Sequence, residues 1–387
     1  MSTTRRSFLR VGGLTVAGAV AGACSPSAAP SAPVAAPIAT PAAPAAPPAK
    51  AVWEQEWEQL APAAKAEGKL SLLTLSGPGY RKGADAFTAA FPGIAVEMQQ
   101  FSSAALYTPK VTDERKAGIY SFDVALTAVT SMLLTLRPIG AFDPIRTAIF
   151  RPDVLDDKAW RNGFEAGFPD NEKNISYVMS EELIPRFIVD TNQVKEGEVK
   201  SARDLLNPKW RGKMVLADVR QGGSSPMLAS FRENFGDDMV KQLLVDQQPT
   251  FARDNRAIVE GVVRGRYAIG LGNVDSFLQS FRDEGAGQNV KGLNFTDAGA
   301  VATAGALFLM NRAPHPNAAK LFINWLLTKE GQTIWCNFNS WNSRRLDVPP
   351  SSEEIVPRPG VKYFYAARES TAAAQAASRA FTEKLVP

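Results

Sequence analysis

The sequence predicts an α/β protein built from two units, and three observations carry that expectation. Short apolar strand-like runs alternate with amphipathic helical runs from Ala51 onward, joined by short connections. A second series of the same kind begins at Met214. The 387 residues, 45% hydrophobic and 21% charged, have the balance of a globular chain long enough to bury a sizeable core.

The first fifty residues stand apart. Thr4-Arg5-Arg6-Ser7-Phe8-Leu9 has the pattern of a twin-arginine export signal, followed by a mildly apolar stretch from Val11 to Ala23. That stretch is about half of what a membrane-spanning helix needs. Val20-Ala21-Gly22-Ala23-Cys24 resembles the lipobox of bacterial lipoproteins, with Ala21 where that motif has a larger aliphatic residue, so lipid attachment at Cys24 is expected. Residues 25–50 hold 11 Ala and 8 Pro and no charge before Lys50, the composition of an extended spacer. Residues 1–23 therefore read as a signal peptide and 24–50 as a linker.

From there the elements follow in order. Trp53, Trp57 and Leu60 at helical spacing predict a helix over 53–67, which Gly68 ends. Residues 70–75 read as a strand, 76–79 as a loop and 80–91 as a helix. A strand over 94–98, a helix over 104–117 and a strand over 122–126 come next, then a polar turn at 127–130. Residues 140–190 are less regular. In the second series, 214–217 is a strand, and Ser225-Pro226 opens a helix by the N-cap and first-turn preferences of serine and proline. A helix over 257–263, strands over 267–271 and 304–310, and an apolar helix over 317–327 complete the pattern.

Charge and motifs exclude several functions. The chain carries 43 Lys+Arg against 39 Asp+Glu, net +4. Arg5, Arg6 and Arg10 belong to the signal, and removing it leaves 40 bases against 39 acids. No basic-aromatic stripe stands out, so nucleic acid is not an expected partner. The single histidine, His315, sits at a helix start and reads as a capping or surface residue. No metal-ligand cluster, nucleophile elbow or phosphate loop occurs in the sequence, so no enzyme and no cofactor is expected. Cys24 and Cys336 are the two cysteines. Cys336, among Trp335, Phe338 and Trp341, reads as a buried small hydrophobe.

Asp204-Leu205-Leu206-Asn207-Pro208-Lys209-Trp210-Arg211-Gly212-Lys213 resembles the D-L-x-x-P-x-W-x-G-K signature of bacterial extracellular solute-binding proteins, in the ferric-iron-type group. Three further stretches share the resemblance: 114–118 with 122–124, 263–270, and 313–332. The resemblance spans about residues 53–350. It implies a two-lobed periplasmic-binding-protein fold, type II-like, with the ligand cleft between lobes at 51–185 plus 300–345 and at 186–299 plus 346–387. Residues 186–192 are the expected outgoing crossover. It also implies a monomeric, lipid-anchored periplasmic receptor that serves an ABC permease, after export by the twin-arginine translocase.

Loops at strand ends then nominate the ligand site. Ser76, Gly77, Tyr80 and Thr127 come from the first lobe, and Ser224, Ser225, Arg253, Asn255, Asn273 and Asp275 from the second. Arg344 and Arg345 lie in a turn near the hinge by analogy. Iron-binding members carry a tyrosine pair just after the residue matching Asn273. Here that position reads Val274-Asp275-Ser276, so two hard phenolate ligands are missing. The arginines and a helix N-terminus favour a carboxylate, phosphonate or phosphate group, and Asp275 could meet an amine on the same solute. The alternatives are a ferric-ion carrier using a synergistic anion or chelator, and a secreted enzyme on the same scaffold.

Overall fold

Helix α1 (Val52–Glu67) stops where Gly68 takes a left-handed φ of 70°, which glycine adopts without a Cβ clash. This computed structural model describes residues 50–386 apart from 185–186, 222–224, 273–274, 296, 303–304, 359–360 and 362. The expected export signal, the expected linker and Cys24 therefore lie outside the described residues. Among those described, no helix is long and apolar enough to cross a membrane.

Strand β1 (Lys69–Leu75), α2 (Pro78–Ala90), β2 (Ala95–Phe101), α3 (Ala104–Lys116) and β3 (Val124–Thr127) follow with short links. Next are α4 (Val129–Ser131), β4 (Phe142–Asp143) and α5 (Pro152–Leu155), in the irregular middle of the chain. Three short strands then run in succession: β5 (Ser176–Val178), β6 (Glu182–Ile184) and β7 (Phe187–Asp190). The second series is β8 (Met214–Ala217), α6 (Ser225–Phe235), α7 (Asp237–Lys241), β9 (Thr250–Ala252), α8 (Asn255–Val263), β10 (Ile269–Leu271), α9 (Asp275–Asp283) and β11 (Val290–Leu293). Last come β12 (Ala300–Ala302), β13 (Ala306–Met310), α10 (Pro316–Leu327), α11 (Lys329–Asn339), β14 (Phe364–Tyr365) and α12 (Glu369–Thr382).

These strands form three sheets. The first has the order β2-β1-β3-β13-β4, with β5 also on β13, and the second β11-β7-β10-β8-β9. A small third sheet, β14-β12-β6, takes β6 and β12 from the connections between them and β14 from the C-terminal part of the chain. Strands β1, β2 and β3 are mutually parallel, as are β8, β9 and β10. Each large sheet has its own core. Leu70, Leu72, Phe87 and Phe322 sit in one, and Phe187, Leu216, Phe231 and Leu243 in the other.

Two expectations shift. Residues 187–190 are not a crossover: β7 pairs inside the second sheet with β10 and β11. The crossing strand is β6, just before it, which pairs with β12. Thr127 belongs to β3 rather than to a turn, because its register with Ala306 extends the ladder by one residue.

His315 is also placed differently from a simple cap. It precedes α10 without a side-chain capping bond. Its backbone N–H donates to Asp123 Oδ1 at 2.7 Å, and its Nδ1 lies 2.9 Å from Asp123 Oδ2. Asp123 also accepts from the Ser71 N–H at 2.6 Å and is fully buried. One carboxylate thus ties β1, the start of β3 and the entry to α10. Cys336 is buried, and burial pushes its thiol up to about 12. Replacing Asp123 with Ala orphans two buried backbone donors, so Asp123→Ala should lose about 3 kcal/mol or more of stability. Urea unfolding reads this, and a loss within experimental error of zero would contradict the tie.

Candidate functional site

The ladder registers decide where a ligand can sit. Ala306, the first residue of β13, pairs with Thr127 and Val178, the last residues of β3 and β5. In the second sheet, Phe187 at the start of β7 pairs with Leu271 and Leu293, the last residues of β10 and β11. The chain therefore leaves the first sheet at the C-terminal ends of its parallel strands and enters the second at the same ends. It returns from β11 through β12 to β13 by the same route. Val178 and Phe187 are nine positions apart, which limits the span between the two edges to about 30 Å. Both sets of C-terminal loops face the crossover, where ligands of open α/β sheets bind.

The predicted residues divide into three groups. The first lies at these strand ends. Ser76 is exposed after β1, with its N–H bonded to Phe101 O, and Gly77 precedes α2 in an extended conformation. A Cβ on Gly77 would press on the Tyr80 ring at 3.1 Å, so the close approach explains the glycine. On the second sheet, Arg253 follows β9 and is exposed, with no hydrogen bond or ion pair among the described residues. Asn255 opens α8, and Asp254 before it caps that helix by accepting from the Ala257 N–H at 2.7 Å. The Asn255 side chain sits against Gly272, where a Cβ would come within 2.8 Å of its Oδ1. Ser225 and Asp275 are the first residues of α6 and α9. Ser224 and Asn273 lie outside the described residues.

Asp218 and Arg220, which the sequence reading did not single out, complete this edge. Arg220 donates to Asp218 through Nε and Nη2 at 2.9 and 2.8 Å. The pair holds the Asp218 carboxyl below the usual carboxylate range, and Arg253 adds to the effect. The neighbouring carboxylate is thus already engaged, and Arg253 is left to face solvent. Asp218 and Arg253 stand 35 positions apart in sequence, which gives no local signal of this.

The second group is structural. Tyr80 is buried edge-on against Trp335 and Trp341, with centroids at 6.0 and 5.5 Å, and burial raises its phenol pKa. Thr127 is buried and donates from Oγ1 to the Tyr107 hydroxyl at 3.1 Å.

The third group corrects the expectation for the arginine pair. Arg344 is completely buried, and its Nη atoms donate to the carbonyls of Val178, Arg161 and Gly163 at 3.2, 2.7 and 3.1 Å. Its Nε lies 3.3 Å from Glu181. Arg345, also buried, pairs with Asp347 at 2.9 Å and donates to the carbonyls of Asp153 and Leu327. Both guanidiniums are used to join distant segments, because loop 342–345 passes through the interior beside β5. Arg344→Met should therefore cost about 3–5 kcal/mol of stability, since it removes the nearest cation of the buried Glu181 and leaves three carbonyls without their donor. Denaturant unfolding measures this, and unchanged stability would return Arg344 to the list of ligand contacts.

Comparison with known proteins adds a family and a fold. The family described as bacterial extracellular solute-binding protein matches residues 82–355. Iron uptake protein A1 of Synechocystis is 21% identical over 228 residues, 56% of this chain and 60% of that protein. The chain spans about half the length of the curated relatives it matches. A putative extracellular solute-binding protein from Bordetella parapertussis superposes with a TM-score of 0.66 at 14% identity, covering 83% of this chain and all of that one. The Trichodesmium IdiA (FutA) protein, in complex with iron and citrate ligands, gives 0.63 at 17% identity, with 82% and 99% covered. At these identities the structural likeness speaks for the fold, and the two-lobed solute-binding architecture is the one these proteins share.

Proposed function

The chain belongs to the bacterial extracellular solute-binding proteins, and on that basis we propose that it captures a small polar, anionic organic solute in the periplasm and passes it to an ABC permease. A carboxylate or phosphonate group is the favoured recognition element. The observation that carries this reading is Arg253. It is an exposed, unpartnered guanidinium at the C-terminal edge of the second sheet, between a paired Asp218 and the start of α8. An arginine left without a carboxylate at a strand-end edge suits a planar oxyanion by bidentate bonding. The starts of α2, α6, α8 and α9 lie at the same ends of the two sheets, and the positive ends of helix dipoles favour negative charge.

The protein's action is closure of the two lobes on the solute, with the β6 and β12 crossings as the pivot. Binding without turnover is the proposed activity, in keeping with the family of binding proteins that the chain belongs to. Export by the twin-arginine signal and anchoring through lipid on Cys24 fit a receptor tethered by the 24–50 linker.

A second reading has its own support. The Synechocystis relative is an iron uptake protein, and the Trichodesmium structure holds iron and citrate. A ferric ion could be carried here as an organic chelate, with the chelator's carboxylates meeting Arg253. Bare iron is disfavoured by the Val274-Asp275-Ser276 sequence where a tyrosine pair would be needed. Among the described residues no group of three or more His, Cys, Asp or Glu is placed to hold a metal.

The test is calorimetry and thermal shift with phosphate, ferric citrate, metal-free citrate and an amino-phosphonate. Arg253→Ala should weaken the best binder by about 1.5–3 kcal/mol while leaving the unliganded melting temperature unchanged. Equal affinity in parent and variant would remove Arg253 from the site. Binding of ferric citrate but not citrate alone would favour the second reading.

A further inference from the structure

A groove of about 650 Å³ lies on the first sheet, toward the end of its strands opposite the cleft. Lys69 and Ser71 of β1, Glu97 and Gln99 of β2, and His315 before α10 are among the residues that line it. Lys69 opens β1 and Ser76 follows its last residue, so about 20 Å of strand separates the start of the groove from the cleft-side loop. None of the strand-end loops 76–77, 127–128, 218–225, 253–255 or 272–275 lines it. The volume is within the range of small-molecule sites.

The groove exists because one face of the sheet is only half covered. Alternate residues of a strand share a face. On this face Leu73 packs with Tyr107 and Val111 of α3, whereas Lys69 and Ser71, earlier on the same strand, line the groove. The register sets Glu97 beside Ser71 and Gln99 beside Leu73. Lys69 Nζ lies 2.6 Å from Glu97 Oε2, so these two charges offset each other. Arg81, also in the lining, reaches the Val96 carbonyl at 3.4 Å.

The uncharged groups are the ones left with capacity. Asp123, fully buried behind the groove, accepts from the Ser71 N–H at 2.6 Å and lies 2.9 Å from His315 Nδ1, both through Oδ2. Ser71 and His315 therefore stand side by side on one buried oxygen. A carboxylate only accepts, so the neutral imidazole carries its proton on Nδ1 and keeps the Nε2 lone pair free. Nε2 has no partner among the described residues, and the side chain is 20% exposed. The Ser71 hydroxyl has none either, in a residue that is 8% exposed. Ser121 and Gln99 add a hydroxyl and an amide, again without partners among the described residues. A polar group buried without a partner costs free energy. Ligand hydroxyls, which donate and accept at one atom, suit a neutral set of donors and acceptors better than an ion does.

We propose that this groove is a second ligand site, independent of the cleft, for an uncharged, hydroxyl-rich small molecule of the saccharide or polyol type. One ligand hydroxyl donates to His315 Nε2 and accepts from the Ser71 hydroxyl, and Gln99 and Ser121 take its neighbours. Asp123 is a positioning residue: it fixes the tautomer of His315 and the place of Ser71.

His315 is the only histidine in the chain, so ¹⁵N-histidine labelling of untagged full-length protein gives a single imidazole to follow. The free protein should show the Nδ1–H tautomer. Titration uses glucose, maltose and glycerol, with inorganic phosphate as the charged comparison. Glucose or maltose should shift the Nε2 resonance in the parent and in Arg253→Ala alike, and glycerol binding as tightly as the sugars identifies a polyol site. Ser71→Ala keeps the backbone N–H on Asp123 and removes a hydroxyl that has no partner. Its melting temperature should be unchanged, while affinity falls about three- to tenfold. An Nε2–H tautomer, or no shift with any of the three hydroxyl compounds, overturns the proposal. So does a shift with phosphate alone, an unchanged affinity in Ser71→Ala, or loss of the response in Arg253→Ala, which would assign it to the cleft.

Discussion

Strands β6 and β12 run antiparallel from one large sheet to the other, with Ala300 opposite Ile184 and Ala302 opposite Glu182. The position of the site depends on this pairing. Because β6 leaves from the end of β5 and feeds β7, and β12 leaves β11 and feeds β13, both crossings join strand ends of the same polarity. A parallel sheet gathers its loops and helix N-termini at those ends, so the two sets are brought to one place by connectivity alone. Two short strands side by side also make a suitable pivot, since few residues must change conformation for the lobes to rotate.

The crossing is held on the first-lobe side by buried charge rather than by apolar packing. Glu181 immediately precedes β6, and loop 342–345 lies beside it, with Asn342 donating to Glu182 Oε1 at 3.1 Å. Arg344 and Arg368 together donate to five backbone carbonyls. Such carbonyls belong to irregular chain between residues 161 and 178, which has few ladder partners of its own. The guanidiniums satisfy that chain's acceptors, and the carbonyls in turn offset the desolvation of the guanidiniums. This reciprocity explains why cations are tolerated where a core would be expected, and why the same arginines are poor candidates for holding a transported solute.

Legibility in the sequence followed the range of the interactions. The elements from Trp53 to Leu126, the 214–217 strand and the apolar helix ending at Leu327 were readable because their periodicity is local and strong. Strands β5, β6, β12 and β14 were not, since each has two or three residues and exists only through its partner. Arg253 and Asn255 were placed near an edge by motif position, and the structure puts both there. For Arg344 the neighbouring residues suggested a turn, but its role is set by partners at 161, 163, 178 and 181, up to 183 positions away. Nothing short-range could have distinguished a cleft arginine from a buried one. The same holds for Glu181 and Arg368, which no motif marks. The basic pI of 9.0 likewise says little about binding, because three of its charges lie within residues 1–23 and several others are consumed internally.

The central claim is that Arg253 at the strand-end edge receives an organic anion rather than bare iron. Native mass spectrometry of protein purified from its own periplasm addresses it most directly, because non-covalent cargo is weighed together with the chain. The account predicts a stoichiometric adduct with the mass of a small organic acid or phosphonate, alone or as a metal chelate, that is lost in Arg253→Ala. A stoichiometric iron adduct without an accompanying organic mass would contradict it.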